Sequence, residues 1–278
     1  PAIFLRERYQ DLAGEELNDV ATGLSSMASQ IKQRTGAFLQ GFAMTLKFSP
    51  FLKLCAATFL VFNGFMMVAS FQSYIIIYYI FGGDQELGAE YAGWSGTVSA
   101  FGTFFVIFFI SWLSTLIGKR RAFFVAVGVS MFGYALKWIC YDPRYPLLLL
   151  LPAPFIAFGL GGLFTLMGSM IADVCDMDEL QSHERREGMF GSIYWWVVKL
   201  GMAAALAIGG VLLNATGFDV ALGGEQSSQT LIYMRLFDVL VPVVSSAVAI
   251  WLIASYPITE KVAANVRDEL ERRRGTVS

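Results

Sequence analysis

Six long apolar runs constrain this chain more than any other feature, at about residues 50–81, 91–117, 122–141, 147–174, 188–214 and 231–256. Each reaches or exceeds the ~20 residues an α-helix needs to cross a hydrocarbon core of ~30 Å. Lipid offers no water to backbone N–H and C=O groups, so a run of that length satisfies them internally, as a helix. The expected fold is therefore an all-α membrane protein with six transmembrane helices. Composition agrees: 56% of the 278 residues are hydrophobic and 15% charged, where soluble domains carry ~25% charged residues.

Three segments follow from the runs: residues 1–49, a six-helix bundle at 50–256 and a tail at 257–278. In the first segment Ile31, Phe38, Phe42 and Leu46 recur near helical spacing beside Lys32, Arg34 and Lys47. That pattern fits a basic amphipathic helix on the membrane surface, and equally an ordinary solvated linker helix. The chain begins at Pro1, with neither an initiator Met nor a signal peptide, so an upstream portion is expected to be missing. Cys55, Cys140 and Cys175 are scattered through apolar runs and read as small packing residues. Of the Lys and Arg residues in the connecting segments, fifteen fall on one side of the membrane and only Arg144 on the other. By the positive-inside rule both termini are cytoplasmic.

Charges inside the runs point to function, because an intramembrane ion costs a few kcal/mol. Lys199 lies deep in the fifth run, just after Tyr194, Trp195 and Trp196. On a helix it shares a face with Trp195 and Ala203, four residues either way. An indole beside an ammonium suits a sugar, whose ring face stacks while its hydroxyls take the donors. Lys137, near the outer end of the third run beside Trp138 and Tyr141, reads as a lysine snorkelling to the aromatic belt. Arg235 and Asp238, three apart in the sixth run, are placed to pair. Asn63 and Gln72 in the first run are available to a polar ligand or to a neighbouring helix. Gly159, Gly161 and Gly162, and the line Gly201, Ala205, Gly209, allow close helix contact; Pro152, Pro154 and Pro242 are candidate kinks.

Between the fourth and fifth runs lies a charged knot holding Asp173, Asp176, Asp178, Glu179, Glu184, Arg185, Arg186 and Glu187, with His183 in a solvated loop. Asp173 and Asp176 would close the fourth helix, where carboxylates oppose the helix dipole and need partners; Arg185 and Arg186 are the nearest. Such a cluster is either an inner gate that forms and breaks or a static loop network.

The spacing Ala172-Asp173-x-x-Asp176-x-x-Glu179, then Arg185-x-Glu187, then Lys199-Leu200-Gly201 resembles the glycoside–pentoside–hexuronide:cation symporters, the melibiose permease-like branch of the major facilitator superfamily. The resemblance runs along nearly the whole chain, through Pro50-Phe51-Leu52-Lys53, Tyr78-Tyr79, Gly82-Gly83-Asp84, Glu225-Gln226-Ser227-Ser228-Gln229-Thr230 and Tyr256-Pro257-Ile258-Thr259-Glu260. It implies the C-terminal half of a twelve-helix major facilitator superfamily transporter, with residues 1–49 as the central cytoplasmic loop and substrate bound near the midplane between halves. Lys199, Trp195, Val198 and Phe164 are then the implied sugar-cavity residues. Asp173, Asp176, Glu179, Arg185 and Glu187 are the implied cytoplasmic gate. The aromatic Tyr194-Trp195-Trp196 and Phe164 depart from the family's best-known member, so the sugar need not be an α-galactoside.

The expected activity is Na⁺- or H⁺-coupled symport of a sugar or glycoside by alternating access, in a bacterial inner membrane. Lysolipid transport on the same fold, or a six-helix scaffold that never transports, are the competing readings. No cofactor is expected, and the coupling cation would be bound mainly by the missing N-terminal half. That half, membrane lipid and the sugar are the expected partners, without nucleic acid. Catalytic motifs such as His-Glu-x-x-His or Gly-x-Ser-x-Gly do not occur, which argues against an intramembrane enzyme.

Overall fold

The structure, a computed structural model, describes residue 36 and residues 41–275. The chain divides into two units, Pro1–Lys47 and Phe48–Ser278. In the first, residues 41–47 turn helically and the Thr45 hydroxyl donates to the Gly41 carbonyl at 2.8 Å. Most of the expected surface helix, including Ile31, Lys32, Arg34 and Phe38, lies outside the described residues.

The second unit holds six helices long and apolar enough to cross a membrane. They are α1 (Ser49–Tyr74), α2 (Gln85–Ile117), α3 (Lys119–Cys140), α4 (Pro152–Ser182), α5 (Glu187–Ala215) and α6 (Ser228–Ala254), followed by a shorter α7 (Glu260–Arg274). Local chemistry sets the ends. Pro50 opens α1, where its missing N–H costs nothing. A π-helical segment, Ile75–Ile80, prolongs α1 until Gly82 and Gly83 turn the chain at positive φ. The Asp84 carboxylate accepts from the N–H groups of Glu86 and Leu87 at 3.0 and 3.1 Å and starts α2. Ser227 caps α6 in the same way through Thr230 N–H at 3.1 Å.

Several boundaries differ from the hydropathy reading. α2 begins at Gln85 because the Asp84 cap, not apolarity, sets its start. α4 does not close at Asp173 and Asp176 but continues to Ser182, ending at His183 in a left-handed conformation (φ 58°). Pro152 and Pro154 stand in its first turn and kink nothing, since no intrahelical bond is lost there; Pro242 does lie inside α6. The tail contributes α7, which buries Ala263, Val266 and Leu270.

Packing is organised around α1 and α4, which touch each other. α1 packs on α5 and α6, α4 packs on α2 and α3, and α3 packs on α6. Exchanging the first three helices for the last three reproduces this pattern, and the paired helices run in opposite directions. This is the contact network of an inverted three-helix repeat. Small residues bring the axes together. A Cβ on Gly162 would lie 2.4 Å from Ala126 Cβ, and one on Gly159 would lie 2.9 Å from the Ser130 side chain, so both face α3. Gly161 faces α2 instead, against Val106. The main core joins Phe51, Leu54, Val61, Phe62, Ala126, Leu163, Met167, Phe190 and Val198.

Candidate functional site

α5 buries only one side, through Phe190, Ile193, Tyr194, Val198, Gly201, Ala205 and Gly209. Gly201 lets that side approach α1 closely, and the Asn63 amide donates to the Gly201 carbonyl at 3.1 Å. The opposite side carries Trp195, Trp196 and Lys199, all exposed. Lys199 is the thirteenth of the helix's twenty-nine residues, which puts it about 18 Å from one end and about 24 Å from the other. Trp195, 55% exposed, stacks on Phe164 of α4, 40% exposed, with ring centroids 6.2 Å apart and planes at 18°. Phe164 meets Phe62 of α1 edge-on at 6.0 Å. The result is an aromatic shelf spanning α1, α4 and α5, with a mid-helix ammonium one turn along α5 from its indole.

Three of the four sequence-chosen residues, Lys199, Trp195 and Phe164, thus fall on this open side. Val198 is 4% exposed and packs in the core. Lys199 takes part in none of the ion pairs among the described residues. A cleft of about 210 Å³ between α1, α2 and α4 adds polar lining from Gln72, Ser73, Ser95 and Ser99. There the Gln72 amide donates to the Ser95 hydroxyl at 2.7 Å. Ser95 and Ser99 escaped the sequence reading, though their four-residue spacing on one face of an apolar helix was legible.

The charged knot resolves into pairs that sequence proximity did not indicate. Asp173 is held by Lys119 at the start of α3 at 2.6 Å and by Arg267 of α7 at 3.6 Å, not by Arg185 or Arg186. Arg186 grips Asp178 instead, with Nη2 at 2.7 and 2.9 Å and Nε at 3.0 Å from its oxygens. Glu179 receives Arg274 of α7 at 2.6 Å and Arg185 at 3.7 Å, and Arg185 also reaches Glu187 at 2.5 Å. Among the described residues Asp176 joins none of these ion pairs. The carboxylates crowd the C-terminal turns of α4, where the helix dipole disfavours them, and cations from three other segments offset that. Lys119, Arg267 and Arg274 are the members the sequence reading missed; Asp178 was placed in the knot but not among the gate residues.

Lys137 is not a snorkelling side chain. It is 1% exposed and pairs with Asp238 of α6, 3% exposed, while its ammonium sits 4.9 Å from the Tyr141 ring centre. Arg235 does not take Asp238. Its guanidinium lies between the rings of Tyr79 and Trp138, at 4.4 and 4.7 Å, and donates to the Tyr79 hydroxyl and the Trp138 carbonyl. A desolvated pair tying α3 to α6 is more deeply enclosed than a lysine on an open face.

These features define an integral membrane protein: a bundle of six spanning helices, built as an inverted repeat, with an exposed aromatic and cationic side on α5. The chain belongs to the MFS/sugar transport protein family, whose pattern it matches over residues 21–260. Among curated proteins it is similar to an uncharacterized symporter of Synechocystis, 32% identical over 187 residues, which is 64% of this chain and 34% of that protein. It is similar also to a glucuronide carrier protein homolog of Escherichia coli, 25% identical over 57% of this chain and 34% of the relative. An isoprimeverose transporter of Lactiplantibacillus pentosus is 24% identical over 58% and 33% respectively. The chain thus spans about a third of the length of each relative.

Proposed function

We propose that these six helices are the C-terminal half of a cation-coupled symporter for a sugar or glycoside, working by alternating access with both described ends in the cytoplasm. The observation that carries the reading is Lys199: a mid-helix ammonium with no carboxylate partner among the described residues, beside a Trp195–Phe164 shelf, on the exposed side of α5. An apolar helix side carrying a bare cation is unfavourable against lipid. Against a second six-helix half and a water-filled cavity the same side is useful. The rings offer a face for a pyranose, and the lysine offers donors to hydroxyls or to a carboxylate across the midplane. Gln72, Ser95 and Ser99 supply further hydrogen-bonding groups on α1 and α2.

Coupling then follows from charge. Na⁺ or H⁺ on carboxylates of the other half changes the field that Lys199 experiences, and sugar affinity changes with it, a coupling free energy between two sites. The Asp173, Asp178 and Glu179 pairs at the α7 end form the gate that must loosen when the cavity opens to the cytoplasm. Relatives named for a glucuronide and for isoprimeverose favour a saccharide over a lysolipid.

The test is uptake by the complete protein in vesicles with an imposed Na⁺ or H⁺ gradient. Lys199→Ala is expected to weaken apparent sugar affinity by about tenfold to a hundredfold, the worth of one charged hydrogen bond, and to abolish gradient-driven accumulation. Accumulation at the wild-type level in that variant would overturn the assignment.

A further inference from the structure

The α2–α3 connection and the start of α7 enclose a second hollow, of about 550 Å³, at the membrane face that carries α7. Its wall combines Lys119, Arg120, Arg121 and Lys261 with the apolar side chains of Ile117 and Phe124. The gate absorbs one of these cations, since Lys119 neutralises Asp173. Arg120 is fixed by its terminal nitrogens, which donate to the Ala254 and Tyr256 carbonyls at the end of α6, while its Nε is buried without a hydrogen-bond partner. Arg121 and Lys261 are exposed and belong to no ion pair among the described residues. Glu260 is the one carboxylate in the lining. Three uncompensated cations against one anion leave the hollow strongly positive.

Two N-terminal helix ends also open here. α3 starts at Lys119 after Gly118, and α7 starts at Glu260 after Thr259; neither preceding residue caps its helix with a side chain. Gly118 (φ 85°) brings the two ends together, because a Cβ there would lie 3.5 Å from Glu260 Cβ. Uncapped N–H groups and positive dipole ends add to the attraction for an anion. We infer that this hollow binds the phosphate headgroup of an anionic phospholipid, with Arg121 and Lys261 as its cationic contacts, the fixed Arg120 adding positive charge behind them, and Ile117 and Phe124 against the acyl chains. The occupant is a lipid and not free phosphate because of where the hollow sits. α2 ends at Ile117 and α3 begins at Lys119, so the cations lie at the level where a spanning helix leaves the hydrocarbon, beside the apolar lining of Ile117 and Phe124. Basic pockets in that position recognise acidic headgroups. The occupied site would hold together α3, the end of α6 and the start of α7; α3 and α7 also brace Asp173, through Lys119 and Arg267.

The full chain in vesicles, with spin-labelled phosphatidylglycerol or phosphatidylcholine as the probe, measures the preference directly. Wild type is expected to favour phosphatidylglycerol. The double variant R121Q/K261Q should lose about fivefold of that preference per cation removed, and the charge-conserving R121K/K261R should keep it. R272Q removes an exposed cation from α7 outside the hollow and should leave the preference largely intact. Both Arg121 and Lys261 are exposed, so their loss does not threaten folding, which circular dichroism of the same samples checks. Undiminished preference in R121Q/K261Q overturns the inference, as does an equal loss in R272Q, which would mean diffuse surface charge only. Stabilisation by inorganic phosphate equal to that by the lipid, in detergent, overturns the commitment to a lipid.

Discussion

At the scale of single residues, Lys199 and Lys137 show what burial does to one side-chain chemistry. Lys137 and Asp238 are enclosed between α3 and α6, so each is the condition for the other's charge. Asp238→Asn leaves an ammonium buried without compensation and should destabilise the bundle by about 3–5 kcal/mol, read as a lower Tm in detergent. K137M/D238L removes both charges and should recover most of that loss. A D238N variant as stable as wild type would mean that water reaches the pair. Lys199, by contrast, faces outward. K199C should react with a water-soluble thiol reagent in the complete protein and be protected by sugar, while Cys55, Cys140 and Cys175, all buried, stay silent. A K199C thiol that never reacts would place it against lipid or packed protein. Lys199 was legible because its apolar surroundings extend far on both sides along the chain. The Lys137 pairing was not, because its partner lies a hundred residues away on another helix.

Elements meet through small residues and through ions. Gly162 holds α4 against Ala126 with no room for a further atom. Gly162→Leu should therefore push the helices apart and cost about 1–3 kcal/mol or more by overpacking, visible in Tm; a Tm unchanged from wild type would show that α3 and α4 can separate freely. The end of α4 is tied to α7 by Arg267 on Asp173 and Arg274 on Glu179, with Arg273 donating to the Leu180 carbonyl at 3.2 Å. Removing one exposed partner weakens this only modestly, by about 0.2–1 kcal/mol for R274Q, so amide hydrogen exchange across residues 260–274 is the sensitive readout. Faster exchange there, with the spanning helices unchanged, is the expected result. Apolar periodicity cannot reveal α7, which is polar overall and contacts the bundle through Ala263, Val266 and Leu270. Its role emerges only when the end of α4 is in place to receive it.

Across the whole molecule, exchange of α1–α3 with α4–α6 leaves α2 and α5 as flanking helices and α3 and α6 as a pair behind the central two. The proposed substrate side uses a centre and a flank, α4 and α5, while the enclosed Lys137–Asp238 pair lies in the supporting layer. Orientation belongs to this scale. With fifteen cations in the segments on one side, R144C in the opposite loop should be labelled from outside by an impermeant reagent, and R272C only after permeabilisation. The reverse pattern would overturn the topology. The sequence by itself determined the number of spanning helices, because lipid leaves a long apolar run no alternative, and it exposed Lys199 and the acidic end of α4, because charge within or beside such runs is rare. Only the tertiary structure decided which cation answers which carboxylate, that Val198 turns inward while Trp195 and Phe164 turn out, and that α7 closes onto the bundle. Ion pairing and burial depend on distances between helices, and a hydropathy pattern carries no information about which helices become neighbours.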